Sequence, residues 1–218
     1  MLKAIIFDMD WVLVESAEAI KKSFEKFFEK RGIDIQDFDR NKHAWRSLAD
    51  HLTIWQKKYN VSHDIIVQDL SEEAWKYQFE FMTLKPNDNI NRLIHNAKTK
   101  WIKVAVATSS TKKRAIEMLG MIEVYDKLDA FVTCNDVAKN KPNPDIFLKA
   151  AEMVWIAPEN CLVIEDAVNG IQAAKAAWMK SLGRVWPHHT KEELSIADMT
   201  FTDFKDITLS DLEKIFTI

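Results

Sequence analysis

Six side chains of this sequence are of types, and at places, suited to phosphoryl transfer. Asp8 and Asp10 stand two residues apart after the apolar run Ala4–Phe7. Thr108 ends a second such run, Glu165 and Asp166 follow another, and Lys141 lies with Pro142 ahead of a helical pattern. In an extended segment an i, i+2 pair puts both carboxylates on the same side of the chain. Like charges at a strand end require a compensating partner, and a divalent cation is the simplest. A carboxylate can attack phosphorus, a hydroxyl and an ammonium can hold the phosphoryl oxygens, and magnesium can bridge carboxylates and phosphate. Each residue alone has a plainer use. An aspartate or a Thr-Ser-Ser stretch can cap a helix, and a lysine can be a solvated surface charge. Four such groups at successive strand ends make coincidence the weaker explanation.

The elements that must position them can be read from the apolar pattern. Ala4–Phe7, Val104–Ala107, Phe131–Thr133, Leu162–Ile164 and Ser181–Val185 are short runs separated by helical patterns. That alternation predicts an α/β protein with a mostly parallel sheet, in which a site lies beyond the carboxyl ends of the strands. Between the first two strands, residues 16–84 read as helices only, over Ala17–Lys30, Ala44–Tyr59 and Ser71–Phe81. A crossover this long exceeds one helix. It predicts a helical insert over the strand ends, with residues 1–15 and 85–218 as the core and Lys85-Pro86-Asn87-Asp88 as the return linker.

Composition narrows the classes. The chain has 218 residues and 47% hydrophobic content, enough for a sizeable core. A net charge of −3 without a basic stripe argues against nucleic acid, and no apolar run suits a membrane span. Cys134 and Cys161 are far apart in apolar surroundings and read as buried thiols of a reducing, cytoplasmic compartment. A monomer or weak dimer is expected. Lys42, His43 and Arg46 are cap residues within possible reach of substrate, and His188-His189 reads as a surface loop.

The sequence resembles the haloacid dehalogenase (HAD) superfamily, in its helical-cap subgroup and its phosphatase and β-phosphoglucomutase-like branch. Four segments carry the resemblance: Phe7-Asp-Met-Asp-Trp-Val-Leu, Val106-Ala-Thr-Ser-Ser, Asn140-Lys-Pro-Asn-Pro-Asp-Ile-Phe147 and Val163-Ile-Glu-Asp-Ala-Val-Asn-Gly-Ile171. The resemblance implies a three-layer Rossmann-like parallel sheet core with a helical cap after the first strand. It implies Asp8 as nucleophile and metal ligand, and Asp10 as general acid and then base, its backbone carbonyl reaching the metal. It further implies Thr108 and the Ser109 amide on the phosphoryl group, Lys141 as charge stabiliser, Asp166 as a ligand of Mg2+, and Glu165 as a ligand directly or through water. The implied substrate is a small phosphorylated metabolite. The mutase branch carries a histidine where this chain has Ile20, which favours hydrolysis.

The chain departs from the family in its glycines. Four glycines stand where average usage would give roughly 15. Trp11, Trp45, Trp101, Trp155 and Trp178 fall where the family has glycine, as do Asn60, Asn89 and Asn140. A gene whose host reads UGA as glycine, translated with UGA as tryptophan, would show this pattern. Trp55 and Trp75 fall at ordinary positions.

Overall fold

The apolar runs form strands: β1 (Ala4–Phe7), β2 (Lys103–Thr108), β3 (Ala130–Thr133), β4 (Cys161–Glu165) and β5 (Lys180–Arg184). A sixth, β6 (Met199–Phe201), was not evident from the pattern, being three residues long at the sheet edge. This computed structural model describes residues 1–14, 17–34, 48–59, 61, 62, 65, 73, 74, 76, 77, 80, 88–185 and 189–217. Arg46, Lys42, His43, Trp45, Asn60, Trp75, His188 and the residue 85–87 linker lie outside them.

Every pairing is parallel, in the order β3-β2-β1-β4-β5-β6. Ile5 sits opposite Val104 on one side and Leu162 on the other. Parallel strands covered on both faces are apolar throughout rather than alternating, and all four residues of β1 are buried. The chain reverses its direction of winding between β1 and β4. That switch point opens a crevice beyond their carboxyl ends.

Helices cover the sheet with regular apolar faces. In α3 (Asp88–Thr99) the buried residues are Ile90, Leu93, Ile94 and Ala97, the i, i+3, i+4, i+7 spacing of one helical face. α5 (Asp145–Val154) and α6 (Val168–Ala176) bury Ile146, Phe147, Ala150, Ala173 and Ala174 against Ala4, Ile6, Ala105 and Ala107. The alternate residue Phe7 faces Phe204, with ring centroids 6.5 Å apart. α4 (Lys112–Met121) follows β2, and α7 (Leu209–Lys214) closes the chain with a capping box between Thr208 and Asp211.

Contacts divide the chain into two compact units, Met1–Glu15 with Leu84–Ile218, and Ser16–Thr83. The regular secondary structure described in the second is helical. It contains α1 (Ala17–Glu29) and α2 (Leu48–Tyr59). Trp55 is fully buried there, edge-on to Phe24 and Phe28 at 5.1 and 5.0 Å. Among the described residues no helix is long and apolar enough to cross a membrane.

The helix ends explain the missing glycines. α1 ends on Gly32, at φ +67°. Its N–H donates to Glu29 O, and that of Ile33 donates to Phe28 O. This is the Schellman closure, which places one residue in the left-handed region and favours glycine there. Trp101, Trp155 and Trp178 close α3, α5 and α6 with the same pair of bonds, at φ +62°, +59° and +62°. Trp11 has φ +65° in the turn after β1. Asn89 and Asn140 are not at positive φ, and Asn89 lies inside α3. Their similarity to family glycines therefore has no backbone cause here. Two smaller expectations also differ. Cys134 is only half-buried, beside the short helical turn after β3, and His189 is buried, 3.5 Å from Glu193.

Candidate active site

Four predicted residues meet at the carboxyl ends of β1 and β4. Asp8 directly follows β1, and its N–H donates to Ile164 O at 2.9 Å. Glu165 ends β4 and Asp166 follows it. Lys141, ahead of α5, sends its ammonium to Asp8 Oδ1, to Glu165 Oε2 at 2.9 Å and to Ala107 O at 3.2 Å. All four side chains are buried. Thr108 ends β2, also buried, and its Oγ1 accepts the Ser110 N–H at 3.1 Å. Ser109 beside it is exposed.

Oxygens of Asp8, Glu165 and Asp166 lie within 4.8 Å of one another. One lysine against three carboxylates leaves a buried excess of negative charge. Burial first, and then the Glu165 charge, raise Asp8 to about 8 against the pull of Lys141. Burial, Glu165 and Asp8 likewise hold Asp166 well above the ordinary carboxylate range. Burial opposes the charge on Lys141, but Asp8 and Glu165 outweigh it and raise its pKa. A protonated Asp8 is no nucleophile. A divalent cation among these oxygens would return the carboxylates to their charged forms. The donor set, all hard oxygen without His or Cys, fits Mg2+ rather than a soft metal.

Asp10 stands apart from this cluster. The extended path ends at Asp8, the chain turns, and the Asp10 carboxylate meets a different partner. Arg114 of α4 grips it with both terminal nitrogens, Nη2 to Oδ1 at 2.5 Å and Nη1 to Oδ2, and Ser110 Oγ donates to Oδ2 at 2.9 Å. So of the four predicted metal ligands three bring carboxylates together, and the Asp10 carboxylate is held elsewhere.

Four contributors were not foreseen from the sequence. Arg114 and Ser110 hold Asp10 as just described. Arg184, buried at the end of β5, donates to the Trp11 and Val12 carbonyls, the latter at 3.1 Å, and so anchors the turn after Asp8. Gly170, in the first turn of α6, packs against Glu165 so closely that a Cβ would lie 2.1 Å from its Cδ. The glycine in the fourth motif was the available signal for the last. The two arginines had none.

The profile of the family described as haloacid dehalogenase-like hydrolase matches residues 5–184. The chain is 33% identical over 192 residues to a β-phosphoglucomutase of Bacillus subtilis, covering 84% of this chain and 83% of that protein. It is 26% identical over 183 residues to a phosphorylated carbohydrates phosphatase of Thermotoga maritima, covering 83% and 84%. It spans 48% of a longer haloacid dehalogenase-like hydrolase domain-containing protein of Arabidopsis thaliana, at 32% identity over 152 residues and 68% of this chain. Among solved structures, a β-phosphoglucomutase of Clostridium difficile superposes with TM-score 0.81 at 27% identity, covering 100% of this chain and 98% of that one.

Proposed function

The chain belongs to the haloacid dehalogenase-like hydrolase family, and from that premise we propose that it is a magnesium-dependent phosphatase of a small phosphorylated sugar. The observation that carries the reading is the buried Asp8–Lys141–Glu165 arrangement with Asp166, at the switch point of the sheet. Asp8, Glu165 and Asp166 would hold Mg2+, with the Asp10 carbonyl as a further ligand. When bound, the ion supplies positive charge that keeps Asp8 ionised and screens the incoming phosphate.

The residues divide the work as follows. Asp8 Oδ attacks phosphorus, and the bond to the leaving oxygen breaks. Asp10 gives its proton to that oxygen, and then as a carboxylate takes a proton from the water that cleaves the aspartyl phosphate. Lys141 holds Asp8 in line. Thr108 and the Ser109 amide bind the transferring oxygens, as donors ready before charge develops. Arg46 is assigned to the substrate. Asp10 serves as acid or base only when one of its oxygens leaves Arg114 or Ser110, which makes that clamp part of the cycle.

The second reading is a sugar phosphomutase, favoured by the similarity to named β-phosphoglucomutases. Residue 20 separates the two, being isoleucine where the mutase branch has histidine. The test is phosphate release from an aryl phosphate and a panel of sugar phosphates, with Mg2+ and with a chelator. Metal-dependent release abolished by Asp8→Asn is expected. Interconversion of sugar monophosphates without release, dependent on a bisphosphate primer, would establish the mutase. Release that survives Asp8→Asn would overturn both.

A further inference from the structure

We infer that the protein made in its own host carries glycine, not tryptophan, at residues 11, 101, 155 and 178, the codons there being UGA. The inference does not rest on the catalytic reading. Five tryptophans lie among the described residues, and four have φ between +59° and +65°. Only a few per cent of non-glycine residues adopt positive φ, with Asn and Asp foremost. Four of five arising by chance is on the order of one in a hundred thousand. The fifth, Trp55, is in a helix, fully buried and packed against two phenylalanines.

What surrounds Trp101, Trp155 and Trp178 gives them no reason to be there. Trp101, Trp155 and Trp178 are 91%, 91% and 84% exposed. Such an indole buries almost nothing to offset its backbone, although tryptophan is usually largely buried. Each backbone instead makes the two closing bonds made at Gly32, a true glycine of this chain, and also at Glu123, φ +56°, the one other non-glycine in the left-handed region among the described residues. Trp101 and Trp178 stand two residues before β2 and β5, and Trp155 precedes β4 by one short turn. They therefore lie at the amino edge of the sheet, opposite Asp8, Thr108 and Glu165. Trp11 is the fourth, in the turn that joins Asp10 to Val14, where its N–H donates to Val14 O at 2.8 Å. A glycine would close each of these turns without a Cβ against the carbonyl.

Two readouts test the inference. The coding DNA is expected to carry UGA at 11, 101, 155 and 178 and UGG at 55. UGG at the four sites would overturn it and leave an exposed aromatic edge selected for contact with a partner. Independently, the triple variant W101G/W155G/W178G is compared with the chain as written by thermal unfolding. Its midpoint is expected to rise by roughly 5–10 °C, whereas Trp55→Gly lowers it. A triple variant that unfolds no higher than its parent would also overturn the inference, since tryptophan would then be no burden at those sites. Adding Trp11→Gly to the triple variant is expected to raise the midpoint again.

Discussion

Gly170→Ala tests whether the carboxylate cluster depends on the helix that follows it. An added Cβ would stand 2.1 Å from Glu165 Cδ, 2.3 Å from Cγ and 2.4 Å from Oε1, against ordinary contact at 3.4 Å or more. The carboxylate must therefore retreat by more than about 1 Å. Because Cγ is also too close, rotation of the carboxyl group alone does not relieve the overlap, and the side chain must change rotamer. Glu165 is 2% exposed, with little room to do so. Its 2.9 Å bond from Lys141 and its 3.3 Å bond from the Ala167 N–H are lost in the move. One of three clustered carboxylates leaves its place, and metal affinity is expected to fall about 10- to 100-fold, as for lost support of a metal ligand. Stability changes less. Overpacking costs about 1–3 kcal/mol, and alanine in place of glycine in a helix returns about 1 kcal/mol. The assay is the Mg2+ concentration for half-maximal phosphate release, checked by calorimetric titration of the metal. Half-saturation within twofold of the parent would refute the argument that this close approach holds Glu165 in the site.

Three further outcomes are expected. Asp8→Asn abolishes phosphate release, yet in chelator it unfolds no lower than the parent, because it removes a carboxylate that burial and Glu165 already raise to about 8; circular dichroism during heating checks this. Arg114→Ala lowers kcat roughly 10- to 100-fold with KM within about twofold, through loss of the Asp10 orientation. Added guanidinium ion restores part of that loss, an effect that a merely structural arginine would not show. The third concerns acid. Burial works against the charge of Asp129, but bonds from Lys98, the Val104 N–H and Lys103 outweigh it and lower its pKa. Burial likewise opposes Asp198, outweighed by Ser181 and Lys180. A folded pKa below the unfolded one gives stability that is present above the unfolded value, near 3.8, and is lost as pH falls through the folded value. Denaturant titrations from pH 5 to 2 are therefore expected to show a steeper loss in the parent than in D129N/D198N, which starts lower by about 1–3 kcal/mol.

How far the site could be read in the sequence depends on how each residue reaches it. Asp8, Thr108 and Glu165 are set by the ends of strands that are themselves continuous apolar runs, so locating the strand locates the residue. β6 escaped notice because three edge residues make no such run. Lys141 and Gly170 come with motifs beside the next helix. Arg114 and Arg184 reach the loop after β1 across 104 and 173 residues of sequence. Their meeting with Asp10 and Trp11 is a property of the folded sheet, and an isolated arginine on a helix or at a strand end carries no mark of it. The same limit applies to the tryptophans. Their places suggested glycine by resemblance, but the reason is the positive φ of three helix closures and one turn, a backbone quantity that residue type states only when the residue is glycine itself. The chemistry of the site is thus legible in the sequence because strand ends place it. The donors that restrain Asp10, and the turn conformation beside it, became legible only once the sheet brought distant segments together.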